Sequence, residues 1–409
     1  MVRMKTAVNK ILHIEYNNPK QNELLYLIAL FFEILAMTID LTTMKYTYEF
    51  INIDLIIKAF RYIGYAIVFI KIINTSYTKN ELLLQIAIVA VVGANALVIG
   101  RVQFLAFMFV YGMKGLNFDK IIKRICLWVN IALILTVVLA YSGLLQNWSY
   151  DIPGRMRASM GYRYPSIATS VMLYAWLTLC YVLKDKLKLW HVLVLQVLNI
   201  LQFLATDSRT GTAMIAVMLV IFYAIHFFKD KKIDQYFRKI LVHSYWISSL
   251  ISIVCALLYN PDSPIWASLN KFVSNRIVLS MDAMQQYGVH FFGKSIDWVG
   301  LSGLGYIYDE LPGDYNYVDC SYIRILIDNG IFFFLMIIAG FTIVSWLAER
   351  KKNTYLCFAL AVVAVYSIIE PRLCQIGYNP FLLTLASVIE LQKQNSKDKS
   401  DNIESQMII

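Results

Sequence analysis

The chain has 409 residues, of which 59% are hydrophobic and only 16% are charged, and its mean hydropathy is +0.58. Soluble domains carry about 45–50% apolar and about 25% charged residues, so this composition excludes an ordinary water-soluble domain. The net charge of +10 follows the distribution of basic residues among membrane loops, and we expect no nucleic acid as a partner.

Apolar runs of about 20 residues, long enough to cross a hydrocarbon core of about 30 Å, recur along the whole chain. Because these runs are continuous and do not alternate, they predict helices and not a membrane barrel. We therefore predict an all-α, polytopic integral membrane protein with about twelve transmembrane helices. In chain order the predicted spans are residues 23–40, 54–73, 82–99, 101–117, 124–145, 166–183, 189–206, 210–228, 241–259, 321–347, 354–370 and 376–391.

The longest hydrophilic stretch, residues 260–320, is predicted to be a large extracytoplasmic loop between spans nine and ten. Residues 23–259 then hold spans one to nine, and residues 321–391 hold spans ten to twelve. The remaining residues, 1–22 and 392–409, are predicted to be polar cytoplasmic tails.

Basic residues are distributed unequally between the two sides of this predicted topology. With both termini in the cytoplasm, the cytoplasmic segments hold 24 of the 37 Lys and Arg residues, which agrees with the positive-inside rule. Nine of the 13 remaining basic residues are arginine, against four of the 24 inside. Arginine suits sites where a planar fork holds a phosphate or carboxylate at two points. The outer face is therefore predicted to contain an anion site.

Four parts of this outer face carry the candidate residues, and the first three lie before residue 303. Arg155, Arg157 and Arg163 precede the sixth span, and Arg209 lies in the short connection Thr206-Asp-Ser-Arg-Thr-Gly211. The large loop is predicted to contain an amphipathic helix from Pro264 to about Tyr287, with Ser263 as its N-cap. Arg276 falls on the apolar face of that helix, so it needs an anionic partner or a route to water.

The stretch from Gly303 to Phe334 joins an acid-rich loop to an apolar helix, and it contains Asp319, Arg324 and Asp328. A carboxylate at a membrane edge is a candidate general base for a hydroxyl group. The sequence leaves simpler readings open as well. Asp319 would also suit a helix N-cap, and Arg324 and Asp328 would neutralise each other at i, i+4 spacing. Arg209 would likewise pair with its neighbour Asp207.

Three stretches quoted in chain order support a family resemblance. They are Arg157-Ala-Ser-Met-Gly-Tyr-Arg-Tyr-Pro165, Ser208-Arg-Thr-Gly211, and Val318-Asp-Cys-Ser-Tyr-Ile-Arg-Ile-Leu-Ile-Asp-Asn-Gly330. In order and spacing they resemble motifs of the O-antigen polymerase and ligase superfamily, which includes the Wzy-type polymerases of capsule and exopolysaccharide clusters. Tyr164, Ser166 and Cys320 replace the family's usual His, Asn and Asn.

The resemblance implies a polymerase at the outer leaflet of the bacterial cytoplasmic membrane. Its substrates would be oligosaccharides linked to undecaprenyl pyrophosphate, and a flippase and a chain-length regulator of the same pathway would be its partners, together with membrane lipid. The expected pyrophosphate-binding residues are Arg157, Arg209, Arg276 and Arg324, and the expected catalytic base is Asp319. Secondary candidates are Arg155, Arg163, Arg372 and Asp328.

No metal-ligand spacing is present among the five histidines, and we expect no metal and no cofactor. Two other functions share the same features. A ligase would transfer a finished glycan to a different acceptor, and a flippase would use arginines to hold a lipid pyrophosphate. A flippase is expected to carry cations through the middle of the membrane, whereas the polar residues predicted there are mostly neutral, for example Asn130, Asn199 and Gln202.

Overall fold

A computed structural model describes residues 18–99, 102–152, 155–300 and 315–389. Of these described residues, 74% are helical. The predicted tails therefore lie largely outside the described residues, as does the 301–314 part of the acid-rich loop.

In the first half of the chain the described residues form six α-helices and a small hairpin. Asparagine side chains cap the starts of three of these helices, because Asn18, Asn52 and Asn117 each accept hydrogen bonds from first-turn amides. The helices are α1 (Pro19–Leu41), α2 (Met44–Thr47), α3 (Ile53–Ile73), α4 (Lys79–Ile99), α5 (Val102–Gly112) and α6 (Phe118–Tyr141). Strands β1 (Ser149–Ile152) and β2 (Arg155–Ala158) follow as an antiparallel pair, with Tyr150 opposite Arg157. This hairpin is a small β element in a chain predicted to be all-α.

In the second half the described residues up to Tyr366 form ten α-helices, most of them joined by short turns. They are α7 (Pro165–Leu183), α8 (Leu189–Thr206), α9 (Arg209–Phe228), α10 (Lys232–Leu241), α11 (Ser244–Leu258), α12 (Pro264–Phe272), α13 (Arg276–Tyr287), α14 (Ser321–Asp328), α15 (Gly330–Arg350) and α16 (Thr354–Tyr366). A 3₁₀ helix, Pro380–Leu385, follows, and the chain stays helical to Ile389, where the described part ends.

Seven helices of the described chain are long and apolar enough to cross a membrane, or eight if the bent pair α10 and α11 forms one span. This confirms the prediction of an all-α polytopic membrane protein. Other predicted spans are shorter as helices: α5 has 11 residues and α16 has 13. Helix α3 has 21 residues but carries four charged side chains, which are Asp54, Lys58, Arg61 and Lys71.

Two helices occupy the centre of the bundle. About 72% of the apolar window of α7 is buried, against 11% for α4, whose side chains mostly face outward. Nearly every residue of α16 is buried as well. The start of α7 meets the end of α16, where the hydroxyl groups of Ser170 and Tyr366 lie 3.0 Å apart. The two central helices are therefore antiparallel, and the candidate site lies at this end of them.

The predicted tenth span, residues 321–347, is broken into α14 and α15 at Asn329. Gly330 has a φ of +83°, and a Cβ atom there would lie 2.5 Å from the carbonyl oxygen of Phe291. The amide of Asn95 donates to the carbonyls of Phe292 and Asn329, so α4 also holds this break in place. Hydropathy alone gives no signal for such a break, because both halves are apolar.

The predicted amphipathic helix from Pro264 to Tyr287 is likewise broken. Ser263 is the N-cap and Pro264 the first residue of α12, as predicted. Ser274 and Asn275 then both adopt a positive φ, at 57° and 64°, and the chain turns before α13 begins at Arg276. Arg276 is therefore the first residue of a new helix instead of the middle of a continuous one.

Candidate functional site

Five charged side chains from four parts of the chain gather at the end of α7 and α16. Arg157 comes from β2 and Arg276 from the start of α13, while Asp319 lies just before α14 and Glu370 and Arg372 follow α16. We call these five residues the arginine cluster. It unites segments that are more than 200 residues apart in sequence.

The pair Arg276 and Asp319 joins the loop helix α13 to the segment before α14. The Nε of Arg276 donates to Oδ2 of Asp319 at 3.1 Å, and the two side chains are 16% and 26% exposed. Asn270 fixes the start of α13, because its side-chain oxygen accepts the amides of Ile277 and Val278. The position of Arg276 is therefore set by local hydrogen bonds as well as by its ion pair.

Arg157 is buried, with 9% of its surface exposed. Its Nε donates to the carbonyl of Thr206 at 2.8 Å, one Nη to the hydroxyl of Tyr164 at 3.3 Å and the other to Ser208 at 3.2 Å. Within the described ranges all of these hydrogen-bond partners are neutral. A buried charge without a counter-ion is unfavourable, so a positive side chain held this way indicates a place for an anion.

Aromatic residues connect Arg157 to the rest of the cluster. The guanidinium of Arg157 lies 5.5 Å from the ring centre of Tyr164. Tyr315 interacts electrostatically with Tyr164, Arg276 and Asp319. Arg157 and the Arg276–Asp319 pair therefore flank the same group of tyrosines.

Glu370 and Arg372 complete the cluster from the segment after α16. The hydroxyl of Ser321 donates to the carbonyl of Glu370 at 2.5 Å and accepts the amide of Leu373 at 3.2 Å, so this segment is tied to the start of α14. The Nε of Arg372 lies 4.0 Å from Oε2 of Glu370, which is too long for a hydrogen bond. That Nε has no hydrogen-bond partner among the described residues.

The carboxyl group of Glu370 is strongly affected by its surroundings. Its side chain is 9% exposed and lies beyond the last residue of α16. Burial, and after it the charge of Asp319, raise the pKa of Glu370 to about 7. In the sequence Glu370 does not stand out, because Glu-Pro-Arg at the end of an apolar run is also an ordinary helix stop.

Arg324 and Asp328 lie in a separate arrangement with Trp298 and Tyr317. We call these four residues the loop clamp. The Nε of Arg324 donates to Asp328 at 3.3 Å, and its guanidinium stacks 5.2 Å from Trp298 and 4.7 Å from Tyr317. The indole of Trp298 also donates to Asp328 at 2.9 Å. The mutual neutralisation that the sequence left open is the arrangement observed, and it fastens the loop to α14.

Two other candidate arginines, Arg209 and Arg163, do not enter the cluster. Arg209 is 71% exposed and pairs with Asp207 at 3.4 Å. Arg163 lies 3.5 Å from Asp40, which also binds Arg61 at 2.9 Å. Arg155 lies in β2, but its side chain is outside the described part of the structure.

The N-cap reading of Asp319 is wrong, because Cys320 occupies that position in α14. Within the described ranges, no three side chains of His, Cys, Asp or Glu are grouped closely enough to hold a metal ion. A cavity of about 320 Å³ lies at the opposite end of the bundle, near Asp119 and Lys351, and shares no residue with the arginine cluster.

Comparison of the chain with protein-family models, with curated proteins and with solved structures found no match.

Proposed function

We propose that this protein is a membrane polysaccharide polymerase. It transfers a glycan from undecaprenyl pyrophosphate to a hydroxyl group of a lipid-linked repeat unit at the outer leaflet of the bacterial cytoplasmic membrane. The observation that carries the proposal is the buried guanidinium of Arg157, whose described partners are neutral. Tyr164 and Tyr315 connect it to Arg276, and the Nε of Arg372 has no hydrogen-bond partner among the described residues. The sequence motifs that resemble the polymerase family lie in the same segments.

The reaction requires one bond to form and one to break. The acceptor hydroxyl oxygen forms a bond to the anomeric carbon of the donor glycan. The bond from that carbon to the phosphate oxygen breaks, and its electron pair stays with the departing pyrophosphate. The proton of the hydroxyl group passes to the carboxylate of Asp319 and then to water. Preorganised donors for developing negative charge typically contribute about 10²–10³-fold in rate each.

Each residue of the cluster has a part in this proposal. Arg157, Arg276 and Arg372 bind the two phosphates, for which planar guanidinium groups are well suited. Asp319 is the proton acceptor, and Arg276 orients it through Nε. Arg209 is exposed enough to contact the substrate only from the edge of the site, and Arg324 supports the site through the loop clamp.

The proposal includes the finer topology. Both termini lie in the cytoplasm, as the distribution of Lys and Arg predicts. The twelve crossings then comprise the seven long apolar helices together with α3, α5, the bent pair α10 and α11, α16 and the final segment Pro380–Ile389. The arginine cluster and the 260–320 loop lie outside.

A ligase and a flippase are the alternatives. The concentration of arginines at one end of the bundle supports an enzyme over a flippase, since a flippase must lead its ligand through the membrane. The interior amides hold helices together instead: Asn130 donates to the carbonyl of Ala175 and Asn199 to that of Thr212.

The test is a transfer assay with purified protein in nanodiscs and a lipid-linked repeat unit extracted from cells that lack the protein. Wild-type protein is expected to produce a ladder of lengthening glycans, and Arg157→Ala to produce none. Arg124→Ala, which removes an exposed arginine elsewhere, is the matched control and keeps the ladder. A single transfer to a foreign acceptor would indicate a ligase. Movement of the lipid across the membrane without any transfer would indicate a flippase.

A further inference from the structure

The two carboxyl groups of the arginine cluster lie in different surroundings. Asp319 is 26% exposed and accepts a hydrogen bond from Arg276 at 3.1 Å. Glu370 is 9% exposed, and its closest arginine nitrogen is 4.0 Å away. When two neighbouring carboxyl groups differ in this way, the better paired one stays ionised and the more buried one takes the proton.

Ionisable groups around Glu370 lie on each of the elements packed against it. The ionisable groups that interact with it electrostatically are Arg276 on α13, Asp319 before α14, Tyr174 on α7, Tyr366 at the end of α16, and Arg372 and Tyr378 in the segment after α16. Ser170 on α7 is a further polar neighbour of Glu370.

A bound ligand changes the charge balance of this site. Three guanidinium groups and two ionised carboxylates leave the empty cluster with one net positive charge. A pyrophosphate diester brings two negative charges, so the occupied cluster has one net negative charge. Largely buried sites disfavour such an excess, and one proton removes it.

We propose that Glu370 takes up one proton when a pyrophosphate diester binds, so that the occupied site holds a neutral Glu370 and an ionised Asp319. The inference rests on the proposed function in one respect, which is that the ligand is a lipid pyrophosphate. It adds Glu370 to the site. With Glu370 protonated, Asp319 is the one carboxylate of the cluster that can accept the proton of the hydroxyl group.

The direction of the pH dependence follows from this assignment. In the empty site the pKa of Glu370 is about 7, because of burial and then of Asp319. The two charges of the ligand raise that pKa further. A group whose pKa rises on binding takes up protons, so affinity falls as pH rises through and above neutrality, by up to about tenfold per pH unit.

The probe is P1-farnesyl-P2-methyl pyrophosphate, whose two phosphates each carry one fixed charge and do not titrate near neutral pH. Titration calorimetry of the full-length protein in nanodiscs, in two buffers of different ionisation enthalpy, measures the protons exchanged. At pH 8 the wild-type protein is expected to take up about one proton per ligand, and at pH 5.5 far fewer.

Three variants assign that proton to a residue. Glu370→Gln mimics the neutral carboxyl group, so it is expected to bind the probe at pH 8 at least as tightly as wild type, with no proton uptake. Asp319→Asn is expected to keep the uptake. Asp262→Asn removes an exposed carboxylate of the same loop and is the matched control, with uptake unchanged.

The outcomes separate this inference from the proposed function. Tight binding to the wild-type protein without proton uptake at pH 8, or uptake that persists in Glu370→Gln, would overturn the assignment of Glu370 alone. Failure of the wild-type protein to bind the probe at any pH would contradict the proposed function as well. The wild-type measurement decides the inference even if Glu370→Gln does not fold.

Discussion

Two arginine–carboxylate pairs lie at the same end of this protein, and their surroundings differ. Arg276 and Asp319 are 3.1 Å apart, and Arg324 and Asp328 are 3.3 Å apart. The first pair lies beside further guanidinium groups whose charge exceeds that of the available carboxylates. The second pair is closed: Trp298 donates to the carboxylate, and two aromatic rings cover the guanidinium.

Under the proposed function, pair distance alone does not distinguish the binding site from a structural contact. The number of uncompensated charges around a pair is the more informative property. In the loop clamp every charged group has its partner within the clamp. In the arginine cluster, Arg157 has neutral partners among the described residues, and Nε of Arg372 has none.

The largest expected effect comes from Asp319→Asn. The substitution removes the charge but keeps an oxygen that can accept from Arg276, so the fold is expected to persist. Loss of a general base typically lowers a rate by about 10²–10⁴-fold. The assay of lipid-linked repeat units is therefore expected to show almost no ladder at normal protein abundance. Because Cys320 holds the N-cap position, a lost helix cap would not explain such a result.

A ladder close to the wild-type one in Asp319→Asn would remove this residue from the chemistry. The arginine cluster would then retain its anion-binding role, with the proton acceptor to be found elsewhere in the loop.

A smaller effect of a different kind is expected from the same substitution in the other pair. Asp328→Asn weakens the hydrogen bonds from Arg324 and Trp298, and hydrogen bonds to charged groups contribute about 1.5–3 kcal/mol each. We expect a lower thermal midpoint of the purified protein and a ladder that persists at temperatures where it is folded. Loss of the ladder with an unchanged midpoint would instead place the loop clamp in the substrate site.

The sequence predicted the seven long apolar helices that the described structure contains, because hydropathy is a local property of the chain. It did not predict the breaks before Arg276 and after Asn329, which depend on positive φ angles at Ser274 and Asn275 and at Gly330. The 149–158 hairpin was also missed, because four-residue strands carry little pattern.

The candidate site was only partly predictable for a related reason. Excess arginine on one predicted face led to Arg157, Arg276 and Arg372. Which arginines have counter-ions depends on contacts between distant segments, such as that of Arg157 with Thr206. Glu370 was missed because its raised pKa comes from burial. The burial of a residue at the end of an apolar run cannot be predicted from the residues next to it in the sequence.

The most direct test of the central claim is a structure of the full chain bound to P1-farnesyl-P2-methyl pyrophosphate, determined by electron cryo-microscopy in nanodiscs. The account predicts both phosphates within hydrogen-bonding distance of Arg157, Arg276 and Arg372, with the farnesyl chain leading into the membrane. Phosphates bound at the opposite end of the bundle, or at the loop clamp with the arginine cluster empty, would contradict it.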